Sequence, residues 1–196
     1  MRTNNSALAA ASAAAVLLAV PAPGHAAPGA ARPHTCLEGK ADSRGRSSVD
    51  GTELAWDEVS KFDDARSYAI KVWTAGTLRQ VKIKPDGASS YADLEWKDAD
   101  STGQGWNLVY GKWDPNTGTD FLWLNRAYLD DRKPLGKDEH RRRVAMHELG
   151  HALGFCHKEL GREKASVMWE YYDDLAAKGF DKPTSNDVRA YHALWG

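Results

Sequence analysis

The stretch HELGHALGFCH, from His147 to His157, combines three histidines with one glutamate. If the stretch is helical, His147 and His151 lie one turn apart and their rings leave the same face, so both can bind one metal ion. Glu148 is rotated away by one position, which makes it a poor ligand but allows it to reach a water molecule activated by the metal. The spacing indicates two neutral nitrogen ligands and one carboxylate for proton transfer.

A third ligand is expected from His157. On a straight helix its ring would lie about 240° around the axis from His151 and would point away from the metal. Gly154 lies between them and permits a left-handed conformation that ends the helix and turns the chain back. Three histidines with an open fourth position are typical of catalytic zinc, whereas structural zinc usually has four protein ligands. The simpler alternative, exposed helix histidines, gives Gly154 and His157 no role.

Around this stretch the chain predicts one α+β domain over residues 51–196, with no internal repeat. Short apolar runs separated by polar loops predict five strands, at residues 52–56, 78–84, 91–96, 107–113 and 121–125. Helical spacing predicts helices at residues 62–76, 138–154 and 183–196, and Asp138 is the expected N-cap of the second. The sheet therefore comes early in the chain and the helix with the histidines comes late.

Composition and the N-terminus indicate an exported protein. The 196 residues are 42% hydrophobic and carry a formal net charge of −1, which favours a packed domain and argues against a nucleic-acid partner. Residues 1–26 combine one positive charge, an apolar run and small residues before a cleavage site, which predicts a secretory signal peptide; an N-terminal anchor is the alternative. We expect an extracellular monomer, free of membrane after signal cleavage, with residues 27–50 as an extended, poorly packed arm.

The chain has two cysteines, Cys36 and Cys156. Because an oxidising compartment favours bridges, we expect a disulfide between them that pins the arm. It would close a loop of roughly 120 residues, worth about 4–5 kcal/mol in the chain-entropy model. Two alternatives remain open: Cys36 binds the metal as an inhibitory thiolate, or both thiols are free.

The motif HExxHxxGxxH followed by a methionine resembles the metzincin clan of zinc endopeptidases. Within the clan, the order of elements is most similar to the matrixin-type catalytic domain, and YADLEW and PTSNDVRAYHALWG resemble its alanine-aspartate strand and last helix. The resemblance implies a zincin-like metzincin fold: a twisted five-stranded mixed sheet with one helix, an active-site helix, a methionine turn and a C-terminal helix. The inhibitory PRCGxPD segment of the family is absent.

The resemblance also implies roles for individual residues. Zinc ligands would be His147, His151 and His157, Glu148 would be the general base, and Met168 would lie beneath the ligands. Substrate would bind as an added strand along the cleft. The residues implied for the cleft are Val109, Tyr110, Gly111, Lys112 and Trp113 on the edge strand, with Tyr171 and Tyr172 at the pocket; ordinary sheet and wall packing is the alternative for both groups.

The function expected from these features is that of a secreted zinc-dependent endopeptidase acting on protein or peptide substrates. Two alternatives stay open: a secreted module that binds zinc and peptide without turnover, and a zinc hydrolase of a non-peptide amide. The Asp-rich loops KDADS and WDPNTGTD are rich in the oxygen ligands that calcium prefers, so a structural calcium ion is a further interpretation. His140, two turns before His147, is expected to be exposed.

Overall fold

A computed structural model describes residues 41–87, 91–159 and 165–196. The five strands are β1 (Glu53–Glu58), β2 (Lys82–Pro85), β3 (Leu94–Ala99), β4 (Gly111–Asp114) and β5 (Asp120–Asn125). The helices are α1 (Asp63–Trp73), α2 (Arg126–Leu129), α3 (Asp138–Ala152), α4 (Tyr172–Lys178) and α5 (Ser185–Trp195). The predicted order of one strand, one helix and four further strands before the histidine helix is confirmed.

The strands form one mixed sheet in the order β2-β1-β3-β5-β4. All neighbouring pairs are parallel except β4, which runs antiparallel to β5. The expected α+β class with a five-stranded mixed sheet is therefore confirmed, and β4 is its terminal strand on one side. Within the described ranges, no helix combines the length and the apolar character needed to cross a membrane.

The core lies between the sheet and the helices α1 and α3. One face of α1 is apolar and buried, and it is formed by Ala65, Ala69, Val72 and Trp73. The Trp73 ring stacks on Phe155 at 5.3 Å between centroids, and its indole Nε1 donates to the carbonyl oxygen of Met146 on α3 at 2.8 Å. This contact satisfies a buried polar group and connects α1 directly to the histidine helix.

Some boundaries differ from the sequence-based prediction. Strand β4 begins at Gly111 instead of residue 107, and the short helices α2 and α4 were not predicted. The expected N-cap role of Asp138 is wrong, because Lys137 is the N-cap residue of α3 and gives no side-chain cap. Asp138 is instead the first helical residue, where its carboxylate interacts favourably with the positive end of the helix dipole.

The prediction of a poorly packed arm is wrong for residues 41–50. This segment contains a short 3₁₀ helix, Arg44–Arg46, and the side chains of Ser47 and Ser48 are buried. The backbone N–H groups of Ser43 and Ser48 donate to the carbonyl oxygens of Gly154 and Ala152, at 2.9 and 2.7 Å. The segment is thus attached to the end of α3. The predicted signal peptide and Cys36 lie outside the described residues.

Candidate active site

The three histidines converge as the spacing predicts. The Nε2 atoms of His147 and His151 are 3.2 Å apart, and the Nε2 atom of His157 lies 3.1 and 3.0 Å from them. Three nitrogen ligands of a tetrahedral zinc ion would be about 3.3 Å apart, since the metal–nitrogen distance is about 2.0–2.1 Å. The spacing of the nitrogen atoms therefore fits zinc closely.

Hydrogen bonds orient two of these rings. Nδ1 of His147 lies 2.8 Å from the carbonyl oxygen of Val167, and Nδ1 of His151 lies 2.7 Å from that of Phe155. A carbonyl can only accept, so each Nδ1 carries the proton and each Nε2 offers a lone pair. Burial lowers the pKa of His147 to about 4 and the pKa of His151 well below its usual range, so both rings are neutral near pH 7. Neutral imidazole is the form that binds metal.

Gly154 allows the chain to turn so that His157 reaches the other two histidines. Helix α3 ends at Ala152, and Gly154 has a φ of +92°, outside the range that side-chain-bearing residues normally adopt. A Cβ atom there would also lie 2.5 Å from the carbonyl oxygen of Ser43. The predicted helix stop is confirmed, and the tight contact with residue 43 adds a second reason for glycine that local sequence does not reveal.

Glu148 is buried next to the histidines and faces β4. Its Oε2 accepts a hydrogen bond from the backbone N–H of Trp113 at 2.8 Å. Burial raises the pKa of Glu148 to about 8, against the lowering effects of the Trp113 N–H and the Lys112 charge. A divalent cation held at the histidines would lower the pKa of this neighbouring carboxyl.

Gly111 at the start of β4 provides space for this arrangement. A Cβ atom at Gly111 would lie 2.5 Å from Cγ1 of Val144 and 2.8 Å from Cγ of Glu148. The edge strand therefore approaches α3 more closely than any side chain would allow. From sequence, Gly111 is recognisable only as a cleft residue, because nothing local to it reveals the contact across to α3.

Met168 lies beneath the histidine helix. It is buried, and a Cβ atom at Gly150 would lie 2.3 Å from its sulfur. Gly150 looks unfavourable inside a helix from sequence alone, but this contact explains it. The backbone N–H of Val167 donates to the buried carboxylate of Asp187 on α5 at 3.0 Å, which holds the segment before Met168 in place.

The histidines and Glu148 line one cavity of about 510 Å³. All seven predicted cleft residues, Val109, Tyr110, Gly111, Lys112, Trp113, Tyr171 and Tyr172, line the same cavity. Val109 and Tyr110 precede β4, and Asn125 fixes them: its Nδ2 donates to the Val109 carbonyl oxygen at 2.9 Å and its backbone N–H to that of Tyr110 at 2.8 Å. These two carbonyls are thus engaged by the protein itself.

Tyr110 and Tyr172 line the cavity and belong to a cluster of tyrosine rings. Tyr110 meets Tyr128 and Tyr172 edge to face, at 5.1 and 5.2 Å between centroids. The Tyr172 hydroxyl contacts Nδ1 of His140, and burial raises the pKa of Tyr172 to about 12, so this hydroxyl stays neutral. The expectation that His140 is exposed is wrong, since its side chain is only 17% accessible. His140 supports the cavity wall from behind.

Among the described residues, the three histidines are the only group of three or more His, Cys, Asp or Glu side chains with ligand atoms close enough to share an ion. In the loops considered for calcium, Asp98 accepts from Ser60 and Lys61, and Asp120 accepts from Ser48 and Asn116. The calcium interpretation therefore gains no support from this part of the chain.

Cys156 is buried beside residues 41 and 42. Its backbone N–H donates to Oδ1 of Asp42 at 3.0 Å, and its sulfur lies 3.5 Å from the carbonyl oxygen of Ala41. Because Cys36 lies outside the described residues, the disulfide stays a prediction.

Comparison with known proteins identifies a family. The family model for matrixin (Peptidase_M10) matches residues 55–196, which covers the sheet, the histidine helix and the C-terminal helix. A search of curated proteins finds no match to this chain.

Proposed function

The chain belongs to the matrixin family, and we propose that it is a secreted endopeptidase that hydrolyses peptide bonds with zinc and a glutamate base. Family membership implies zinc metallopeptidase activity. The observation that carries the residue assignment is the convergence of three Nε2 atoms within 3.2 Å beside the buried Glu148. In this proposal His147, His151 and His157 hold the metal.

Zinc held by these residues would act as a Lewis acid and would lower the pKa of the attacking water towards about 7. Glu148 accepts the proton of the attacking water and later delivers it to the leaving amine. The Trp113 N–H, 2.8 Å from Oε2, holds the carboxylate in place for both transfers. Met168, buried against Gly150, would form the methionine turn and support the helix that carries two of the ligands.

The proposed substrate is an extended peptide that lies along β4. This strand is at one end of the sheet, and its residues line the cavity that contains Glu148. A peptide can add to such an edge through backbone hydrogen bonds. Tyr172 and Leu175 then contact a substrate side chain inside the cavity.

Export and processing complete the proposal. Residues 1–26 act as the signal peptide, residues 51–196 form the catalytic domain, and a disulfide joins Cys36 to Cys156. The position of Cys156 beside Ala41 supports the bridge. We expect mass spectrometry of the exported protein, before and after reduction, to show an N-terminus at Ala27 and one bridge.

Cleavage of a mixed quenched-peptide library by residues 27–196 tests the activity, with Glu148→Ala as the variant. We expect the variant to lose at least about 10²-fold in turnover, because general-base catalysis contributes that much. Zinc content, measured by atomic absorption, should stay at one ion per chain in both proteins. If both proteins hold zinc and neither cuts any peptide, the endopeptidase proposal is wrong. A binding module or a hydrolase of another amide would then be the better assignment.

Zinc should also stabilise the fold. A ligand that binds only the native state at 100 times its Kd adds about 2.7 kcal/mol. We expect EDTA to lower the Tm of the wild-type protein, added zinc to restore it, and His157→Ala to reduce the difference between the two conditions. An unchanged Tm would contradict metal binding at the three histidines. The measurement is a thermal melt followed by circular dichroism.

A further inference from the structure

Ser48 connects three elements of the active site although it precedes the region matched by the family model, which begins at residue 55. Its backbone N–H donates to the carbonyl oxygen of Ala152 at the end of α3, at 2.7 Å. Its hydroxyl donates to Oδ2 of Asp120 on β5 at 2.8 Å and accepts from the indole Nε1 of Trp113 on β4 at 2.9 Å. One buried residue therefore contacts the histidine helix and two strands.

Trp113 extends this contact to the reacting groups. The same residue donates its backbone N–H to Glu148, and its indole ring lies against the His151 ring, 6.5 Å between centroids with 24° between the planes. Because Trp113 is only 5% exposed, water is a poor alternative hydrogen-bond acceptor for its indole N–H. The orientation of the Trp113 ring is thus fixed by a hydroxyl from the N-terminal segment.

Asp120 anchors the hydroxyl itself. The side chain is fully buried, and its other oxygen accepts from the backbone N–H of Asn116 at 2.8 Å. A buried carboxylate holds hydrogen-bond donors more strongly than a neutral acceptor does. The hydroxyl proton of Ser48 therefore points to Asp120, which leaves a lone pair of the oxygen for the indole.

We infer that Ser48 is a positioning residue for the catalytic centre, and that its hydroxyl links the N-terminal segment to the active site. Ser48 acts through Trp113, whose backbone holds Glu148 and whose ring packs on His151. This inference rests on the proposed endopeptidase function. It predicts that loss of the Ser48 hydroxyl affects the chemical step more than substrate binding, because β4 keeps its backbone for the substrate.

The neighbouring serine provides a matched control. Ser47 is also buried, but its hydroxyl donates to the carbonyl oxygen of Arg44 within the same segment, at 2.6 Å. Ser47→Ala and Ser48→Ala thus remove the same atom from adjacent positions of similar burial. Ser48→Thr keeps a hydroxyl and serves as the conservative variant. Trp113→Phe removes the indole donor and keeps a ring, so it tests the same link if Ser48→Ala fails to fold.

The first measurement is steady-state cleavage by zinc-loaded residues 27–196 and the three serine variants. We expect Ser48→Ala to lower kcat about 10-fold or more with KM changed by less than about threefold, since small misplacements of catalytic groups cost up to about 10²-fold. Ser47→Ala should keep kcat within about twofold, and Ser48→Thr should recover most of the loss. If both alanine variants lose kcat equally, the inference is overturned while the proposed function stands.

The second measurement does not depend on turnover. Exchange of the Trp113 indole proton with solvent can be followed by ¹⁵N–¹H spectra, with the signal assigned by its absence in Trp113→Phe. We expect faster exchange in Ser48→Ala and no change in Ser47→Ala. Equal exchange rates overturn the inference whatever the cleavage result. If the wild type cuts no peptide, the proposed function fails, and the exchange rates still decide whether Ser48 holds Trp113.

Discussion

The two sides of the cleft are built from different kinds of contact. The floor, residues 146–152 and 166–168, is buried throughout, and backbone carbonyls orient its two histidine rings. The rim, residues 108–110 and 171–172, contains Leu108 and Tyr171, which are 67% and 64% exposed. Substitutions in the floor should therefore change stability and metal binding together, whereas substitutions in the rim should change substrate cleavage with little effect on stability.

The largest effect is expected from Asp187→Ala beneath the floor. This buried carboxylate accepts from the backbone N–H groups of Val167 and Thr184, at 3.0 and 2.7 Å, and from the Ser166 hydroxyl. Its loss leaves several buried donors without a partner, and we expect a destabilisation of about 3–5 kcal/mol. Urea unfolding measures the change. The exposed Asp181→Ala is the control, and an equal loss there would contradict the special role of Asp187.

Met168→Ala should have the next largest effect. The cavity left by a buried methionine costs about 2–5 kcal/mol, whereas Met168→Leu, which keeps the volume, should cost less than about 1.5 kcal/mol. Because the sulfur lies against Gly150, between His147 and His151 on α3, zinc affinity should fall together with stability. Titration with a competing chelator measures the affinity. If Met168→Ala lowers stability but leaves zinc affinity unchanged, Met168 does not influence metal binding.

Tyr172→Phe tests whether this rim residue also contributes to stability, as the floor residues do. Its hydroxyl contacts His140 on α3, and loss of such a hydrogen bond costs about 0.5–1.5 kcal/mol. Tyr171→Phe is the matched change at the exposed neighbour and should leave the Tm unchanged. Thermal melts of both variants make the comparison. Equal shifts in the two melts would mean that the His140 contact adds nothing to stability.

The smallest effect, and one of opposite sign, is expected from Leu108→Gly. Leu108 has a φ of +57° and is the single non-glycine residue with a positive φ in the described part of the chain. A left-handed backbone conformation destabilises a leucine by roughly 1–2 kcal/mol, and glycine removes this strain. Part of the gain is lost because glycine has greater conformational entropy in the unfolded state. We expect slightly higher stability and slower cleavage.

Val59→Gly is the control for the Leu108 prediction. Val59 is 65% exposed and does not have a positive φ, so glycine there should lower stability by roughly 0.5–1 kcal/mol. Urea unfolding and peptide cleavage measure both variants. If the two glycine variants lose stability equally, the backbone at Leu108 is not strained.

The parts of the site that were predictable depend on local spacing. The turn-to-turn distance of His147 and His151 and the helix stop at Gly154 follow from helix geometry alone. Helix boundaries and the burial of the α1 face follow from the same periodicity. The seven-residue helix α4 was missed because so short a segment shows less than two full turns of any pattern.

The parts that were not predictable depend on contacts between distant residues. Gly111 and Gly150 are required because Val144 and Met168 approach them from other elements. Ser48 looked like part of a loose, polar segment, since its partners Trp113 and Asp120 lie far along the chain. The periodicity of one segment does not indicate which side chains of a distant segment will contact it in the fold.

The attachment of residues 43 and 48 to the end of α3 has a consequence for the order of folding. The histidine site is completed by a segment near the start of the described chain and by Asp187 close to its end. Contacts of such long sequence separation form late, because loop closure must come before them. We therefore expect a growing or partly folded chain to lack a competent site. For a peptidase, this delay would keep the enzyme from cutting other proteins before its own synthesis is finished.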